Sequence, residues 1–149
     1  MLKNKAIEGW LRTIEFRSNL LSRKLYVKSR GLIVVYYYSV IKCTPCRKRC
    51  ETINIGLVVF DQGDLQVHLD TNTSKFLALE NDLIRDELGD LYERWSFFTS
   101  HHSSPKEKHA AITSPERIGV WCGGLGFFTV EGADELDRKI QDLMFTLVA

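Results

Sequence analysis

Ten consecutive residues dominated by β-branched and aromatic side chains, LIVVYYYSVI, run from Leu32 to Ile41. Such a run is too short for an isolated helix and predicts a central strand of a sheet. The segment Thr52–Phe60 has the same character, and Leu65–Leu69 alternates between apolar and polar residues. Because the connections between these segments are short and polar, the three strands are predicted to form an antiparallel meander.

Helical periodicity replaces the strand pattern from Ser74 onwards. Apolar residues recur at three- and four-residue steps as far as Trp95, which predicts a helix, and Gly89 indicates a kink within it. Residues 99–114 are polar and include Pro105. This composition predicts a loop.

The remaining segments complete an α+β fold. Two further strands, 117–121 and 127–130, are predicted on either side of the glycine cluster Cys122–Gly126, which permits a bulge or a tight turn. A final amphipathic helix is predicted over 133–147. Residues 31–149 are therefore expected to form a single α+β domain, with a mainly antiparallel sheet of four to five strands and helices packed on one face.

Residues 1–30 differ from the rest of the chain in charge. They hold eight Lys and Arg residues against two Glu, whereas the remainder holds twelve basic and seventeen acidic residues. Ile7, Trp10, Leu11 and Ile14 fall at helical spacing between these charges, which predicts a basic amphipathic helical arm. A helix that packs on the body or frays in solvent is favoured over one that docks on a membrane or a nucleic acid.

Composition and hydropathy favour a soluble, cytoplasmic protein. The chain has 149 residues, of which 44% are hydrophobic and 26% charged, so a globular domain with its own core is expected. Residues 1–30 show no signal peptide, and the longest apolar run, Leu32–Tyr38, is far shorter than the roughly 20 residues that cross a bilayer. No association with a membrane is expected.

The stretch CTPCRKRC contains three cysteines, Cys43, Cys46 and Cys50. Thiolates at these spacings can enclose a metal ion, and Cys122 or His68 is a candidate for the last ligand. A structural zinc site usually has two Cys-x2-Cys pairs, however, and this chain offers one. Free thiols on a hairpin loop are therefore the favoured interpretation, and no metal or other cofactor is expected.

The same stretch carries three consecutive basic residues, Arg47, Lys48 and Arg49. Together with the basic arm of residues 1–30, they are a candidate binding site for the phosphates of a nucleic acid or a nucleotide. The acidic remainder of the chain weakens the positive field. Nucleic-acid binding is therefore the alternative function and not the leading one.

A pattern of the form Arg-x-Glu-x-x-Asn-x-Gly, made by Arg49, Glu51, Asn54 and Gly56, opens the second predicted strand. These four residues are candidate binding residues, although a hydrogen-bond network that specifies the fold is the favoured interpretation. Glu51 is expected to pair with Arg49 or Arg117, and an inward-pointing Asn54 needs a partner for its amide. Gly56 in mid-strand indicates a bulge or a close approach of two backbones.

This signature, together with the preceding Tyr38–Ile41 and a closing helix that ends in Leu147 and Val148, resembles the bacterial family called domain of unknown function 3037. The resemblance covers about residues 36–148, and residues 1–30 extend beyond the usual start of the family. Cys43, Cys46 and Cys50 are not part of the signature. Genes of the family often lie beside genes for kinases that resemble the toxins of toxin–antitoxin pairs, which implies a role with a partner.

No catalytic residue is expected. Cys122 with His101 or His102 can be drawn as a thiol–imidazole pair, but no nucleophile motif or orienting third residue accompanies them. The leading expectation is a non-enzymatic, protein-binding accessory or regulatory module of a bacterial or phage system, in toxin–antitoxin function, defence or counter-defence. Candidate interface anchors are the aromatic residues Trp10, Phe97, Phe98 and Trp121, with core packing favoured for Trp121.

Overall fold

A computed structural model describes residues 33–45, 48, 51–61, 63–70 and 82–148 of the chain. The predicted arm of residues 1–30 and the start of the helix predicted from Ser74 lie outside these residues. The described elements, in chain order, are β1 (Val34–Thr44), β2 (Ile53–Phe60), β3 (Leu65–Leu69), α1 (Asp82–Gly89), α2 (Leu91–Thr99), α3 (Pro105–Ile112), β4 (Gly119–Val130) and α4 (Ala133–Leu147).

Four strands form one antiparallel sheet with the order β3-β2-β1-β4. The predicted meander is confirmed, because β1, β2 and β3 are neighbours in chain order. β1 pairs on both sides, so that Tyr37 lies opposite Phe60 of β2 and Phe127 of β4. β3 and β4 are the end strands among the residues that the structure describes.

The glycine cluster lies inside β4 and not between two strands. The pairing of β1 with β4 shifts between Ser39 and Ile41, next to Gly123 and Gly124, which is the effect of a β-bulge. The carbonyl oxygen of Gly123 accepts hydrogen bonds from Ser39 Oγ at 2.8 Å and from His109 Nε2 at 2.8 Å. A bulge therefore joins the two predicted short strands into one, and α3 helps to hold it.

The prediction that all helices pack on one face of the sheet is wrong. One core cluster contains Ile41 and Phe60 of the sheet with residues of α1, α2 and α3, such as Trp95. The other cluster contains Tyr36 and Val59 with Leu136 and Ile140 of α4. Because successive strand residues point to opposite faces, α4 covers the face opposite to the other three helices.

Residues 99–114 contain a helix, α3, where the sequence predicted a loop. Ser104 caps its amino terminus, because its Oγ accepts a hydrogen bond from the backbone N–H of Glu107 at 3.2 Å. Pro105 takes the first helical position, where its missing N–H costs nothing. The motif Ser-Pro-x-Glu is thus a helix start, and treating Pro105 as a breaker caused the error.

Gly89 marks the end of α1, and α2 begins two residues later at Leu91. The predicted kink is therefore a break between two helices. The final helix, predicted over 133–147, is confirmed with the same bounds. Within the described part of the chain, no helix is both long enough and apolar enough to cross a bilayer.

Gly56 lies on β2 at a point where the backbones of two strands approach closely. A Cβ atom added to Gly56 would overlap the carbonyl oxygen of His68 on β3 and come within 3.0 Å of the Leu69 side chain. A backbone carbonyl in a paired strand cannot move aside as a flexible side chain can. Glycine is therefore required here for packing.

We predict that Gly56→Ala lowers the free energy of unfolding by about 2 kcal/mol or more, because the added methyl group forces β2 and β3 apart. Gly63→Ala is the matched control, since no atom lies within 4 Å of the corresponding Cβ position. Its effect should stay within about 0.5 kcal/mol. Urea denaturation followed by circular dichroism measures both, and equal midpoints for the two variants would contradict the packing argument.

Candidate functional site

The signature residues do not form a common site in the described structure. Asn54 Nδ2 donates a hydrogen bond to the carbonyl oxygen of Leu147 at 2.7 Å, at the last turn of α4. Carbonyl groups at a helix end lack partners within the helix, so Asn54 satisfies one of them and fixes α4 to the sheet. Glu51 is exposed, no ion pair among the described residues joins it to Arg117, and Arg49 lies outside those residues.

The basic loop between β1 and β2 is described only in part. Lys48 is exposed, whereas Arg47 and Arg49 lie outside the described residues, as do Cys46 and Cys50. Thr44 and Thr52, which flank the loop, are joined by a hydrogen bond of 2.9 Å between their hydroxyl groups. This hydrogen bond therefore holds together the two residues between which the loop begins and ends.

Cys43 and Cys122 are buried free thiols. Burial, and secondly the negative charge of Glu87, raise the pKa of Cys43 to about 12. Burial also raises the pKa of Cys122, although hydrogen bonds from Thr113 and Ser39 oppose the shift. Both thiols are protonated at neutral pH and lack the thiolate that binds metals or attacks substrates.

Two of the weak metal candidates, Cys43 and Cys122, lie among the described residues. Among the described residues, no three His, Cys, Asp or Glu side chains are grouped closely enough to hold an ion. Cys43 and Cys122 belong to the apolar core cluster. Their positions indicate a packing role.

The thiol–imidazole pair is not formed by the histidines that the sequence suggested. His101 and His102 are exposed just after α2, and Cys122 Sγ lies 3.6 Å from Thr113 Oγ1. The imidazole next to the Cys122 strand is that of His109, whose Nε2 donates to the Gly123 carbonyl. Sequence reasoning missed His109 because it assigned the surrounding residues to a loop.

Two positively charged side chains lie over the indole ring of Trp121. Arg117 Cζ lies 5.4 Å and Lys42 Nζ 5.6 Å from the ring centroid, distances at which a cation is attracted to an aromatic face. Trp121 Nε1 donates a hydrogen bond to Thr44 Oγ1 at 3.1 Å. The favoured prediction that Trp121 belongs to the interior is confirmed, since it is buried. We call Lys42, Arg117 and Trp121 the cationic cluster.

Apolar side chains remain exposed at the other end of β4. Ile33, Val35 and Phe127 are 67%, 48% and 68% exposed, and we call these three residues the open patch. Val35 lies opposite Thr129 and therefore diagonal to Phe127, whose ring centroid is 6.4 Å from that of Tyr37. Val35 and Phe127 share the sheet face that α1, α2 and α3 cover elsewhere.

Other aromatic side chains are exposed on helices. Phe97 and Phe98 of α2 are exposed, as predicted for interface anchors, and pack edge to face with centroids 6.0 Å apart. Phe145 of α4 is 80% exposed. Trp10 lies outside the described residues. The described surface therefore offers several separate apolar positions, of which the open patch is the one on the sheet.

A comparison of the sequence with protein families agrees with the signature. The family described as a protein of unknown function (DUF3037) matches residues 38–120, which is more than half of the chain. The chain belongs to this family. The family match extends from β1 into the start of β4 and leaves α4 outside. No curated protein and no solved structure matches the chain.

We predict that Asn54→Ala lowers the free energy of unfolding by about 1–2 kcal/mol, because the Leu147 carbonyl loses its partner in a partly buried place. Thr146→Ala is the control, since it removes an exposed hydroxyl that bonds to the Asp142 carbonyl within the same helix. Urea denaturation measures both variants. A change no larger in Asn54→Ala than in Thr146→Ala would show that Asn54 does not hold α4.

His68 makes the stability of the protein depend on pH. Burial lowers the pKa of His68 from 6.5 to about 4, and the Oε1 atom of Gln66 accepts a hydrogen bond from its Nε2 at 3.2 Å. The unfolded chain therefore binds a proton at a higher pH than the folded chain does. The stability from neutral His68 is complete above about pH 6.5 and is lost as the pH falls towards 4.

When the pH falls from 6.5 to 4, we expect the free energy of unfolding of the wild type to decrease by up to about 3 kcal/mol more than that of His68→Gln. His101→Gln, which alters an exposed histidine, should keep the wild-type dependence. Urea denaturation at a series of pH values gives the comparison. Parallel curves for the wild type and His68→Gln would exclude a neutral, partly buried His68.

Proposed function

We propose that the protein is a non-enzymatic, protein-binding module that acts as an accessory or regulatory component of a bacterial or phage system. The open patch carries this proposal. Val35 and Phe127 are diagonal neighbours on one face of the sheet, Ile33 lies two residues before Val35 in the chain, and Phe127 alone is 68% exposed. Burial of such a side chain at an interface contributes about 2 kcal/mol, which is enough to anchor a partner.

The surroundings of the open patch favour an extended segment of a partner protein. β4 is an end strand of the described sheet, and an end strand offers unpaired N–H and C=O groups to another strand. A segment added beside β4 with apolar residues at alternate positions would place those residues next to Phe127, on the sheet face that also carries Val35. Strand addition uses the backbone groups and the exposed side chains together.

The chemical groups of the described residues also fit a binding function better than a catalytic one. The two buried thiols are protonated at neutral pH, and His109 donates its Nε2 proton to a backbone carbonyl. A partner bound across the sheet edge would have one of its own surfaces covered. Occlusion of that surface is the mode of action that we propose, in toxin–antitoxin function, defence or counter-defence.

The test is recovery of the partner from the native host with a tagged full-length chain, followed by mass spectrometry. We predict that Phe127→Lys loses the partner that the wild type retains, with an affinity reduced at least about tenfold, because a lysine is placed in an apolar contact beside the strand edge. Nuclease treatment should leave recovery by the wild type unchanged.

Phe145→Lys is the matched control, because it changes an exposed phenylalanine on α4 and introduces the same charge. We expect Phe145→Lys to recover the same partner as the wild type and Phe127→Lys to lose it. These two results together would assign the contact to the open patch. Retention of the partner by Phe127→Lys, or its release by nuclease, would exclude this binding mode. If the wild type recovers only copies of itself, the bound strand is that of a second copy.

A further inference from the structure

β4 is an end strand of the described sheet that lacks the usual protection of an exposed edge. It runs from Gly119 to Val130 and pairs along this length with β1, so its second edge faces away from the sheet. Its sequence, GVWCGGLGFFTV, has no charged residue and no proline, the residues that commonly prevent end strands from pairing with other chains. The edge of β4 is therefore open to another strand.

The last part of β4 is the part best suited to pairing. Beyond the bulge, the ladder between β1 and β4 is regular from Leu125 to Val130. This stretch, LGFFTV, is uncharged and rich in aromatic and β-branched residues, as are segments that associate with copies of themselves. Phe127 is 68% exposed and Thr129 is also exposed. The described part of the chain therefore leaves this stretch accessible.

The order of side chains in this stretch is self-complementary. Residues that lie opposite each other in an antiparallel pair point to the same face of the sheet. A two-fold axis through Phe127 would place Phe127 opposite the same residue of a second copy, and Leu125 opposite Thr129. On the face that α4 covers, the same axis would place Gly126 opposite Phe128. Each residue therefore meets one on its own face of the sheet.

Gly126 favours a large side chain on the opposite strand. The ring of Tyr38 lies over Gly126 from the β1 side, with Cζ 2.7 Å from the position that a Cβ atom would occupy. Tyr38 and Phe128 pack on the same core cluster, which identifies this as the α4 face. Phe128 of a second copy would cover Gly126 from the free edge. An aromatic side chain beside a glycine of an edge strand is a known means of stabilising such a strand.

A second copy also fits this edge in charge and in apolar surface. Because β4 is uncharged throughout, self-pairing places no like charges opposite each other. Phe127 is the most exposed large apolar residue of the described strands, and contact between its two copies would remove both rings from water. Pairing of β4 with β4 uses the free edge of both copies, so this contact closes at two chains and does not continue into a filament.

We propose that the free protein forms a dimer in which β4 pairs antiparallel with β4 of a second copy, about an axis through Phe127. The two four-stranded sheets become one continuous sheet. The dimer covers the edge to which a partner strand is proposed to bind, so that the partner must displace the second copy. This regulatory step rests on the proposed function, whereas the dimer itself does not.

The test is sedimentation velocity of the full-length protein over a series of concentrations. Because the paired stretch is short, we expect a reversible equilibrium between monomer and dimer. Phe127→Lys and Phe127→Glu should each weaken self-association at least about tenfold, because each places two like charges opposite each other at the axis. An equimolar mixture of these two variants should restore the dimer, since a lysine then lies opposite a glutamate.

Phe145→Lys and Phe145→Glu are the matched controls, because Phe145 is 80% exposed and lies on α4. Each should dimerise as the wild type does, and all four variants should show the wild-type circular dichroism. A wild type that stays monomeric at every concentration, or that forms species larger than a dimer, would overturn the proposal. Equal weakening by the Phe145 variants, or a mixture that fails to restore the dimer, would do the same.

The dimer and the proposed function can fail independently. Sedimentation of the purified protein alone tests the dimer, and recovery from the native host tests the partner. A monomeric wild type that still recovers a partner would remove the dimer and leave the proposed function in place. A dimer without a recovered partner would have the opposite meaning. Where both are found, the partner should convert the dimer into a complex with one copy of each chain, and a complex that retains the dimer would exclude displacement.

Discussion

β1 carries large side chains on both of its faces, and burial of both faces is the constraint that organises the fold. Tyr36 and Tyr38 belong to the core under α4, whereas Tyr37 and Ile41 belong to the core under α1, α2 and α3. A sheet with one face open to solvent would expose one of these two groups of large side chains to water. Two helical layers are therefore needed, and the place where the first layer ends determines which sheet residues remain exposed.

Two of the four signature residues, Asn54 and Gly56, take part in this packing. Asn54 satisfies a carbonyl group at the end of α4, and Gly56 allows β2 to approach the backbone of β3. One residue fixes a helix on the sheet and the other fixes the spacing of two strands. The family match extends over these residues but not over α4, although α4 provides the partner of Asn54. The signature therefore specifies a contact with a part of the chain outside the match.

β4 carries Phe127 of the open patch and Trp121 of the cationic cluster. Phe127 near its end faces one side of the sheet, and Trp121 near its start faces the other. The bulge at Gly123 and Gly124 separates them, and two side chains from other elements, Ser39 and His109, hold the bulge carbonyl. The bulge therefore lies between the open patch and the cationic cluster.

The first three strands, the final helix and the need to satisfy the Asn54 amide were determined by the sequence alone, because periodicity and local polarity report the environment of each residue along its own element. The tertiary structure decided which face α4 covers, that His109 reaches β4, and that Lys42 and Arg117 meet on Trp121. These contacts join residues far apart in the chain. They depend on strand register and helix packing, for which local periodicity carries no signal.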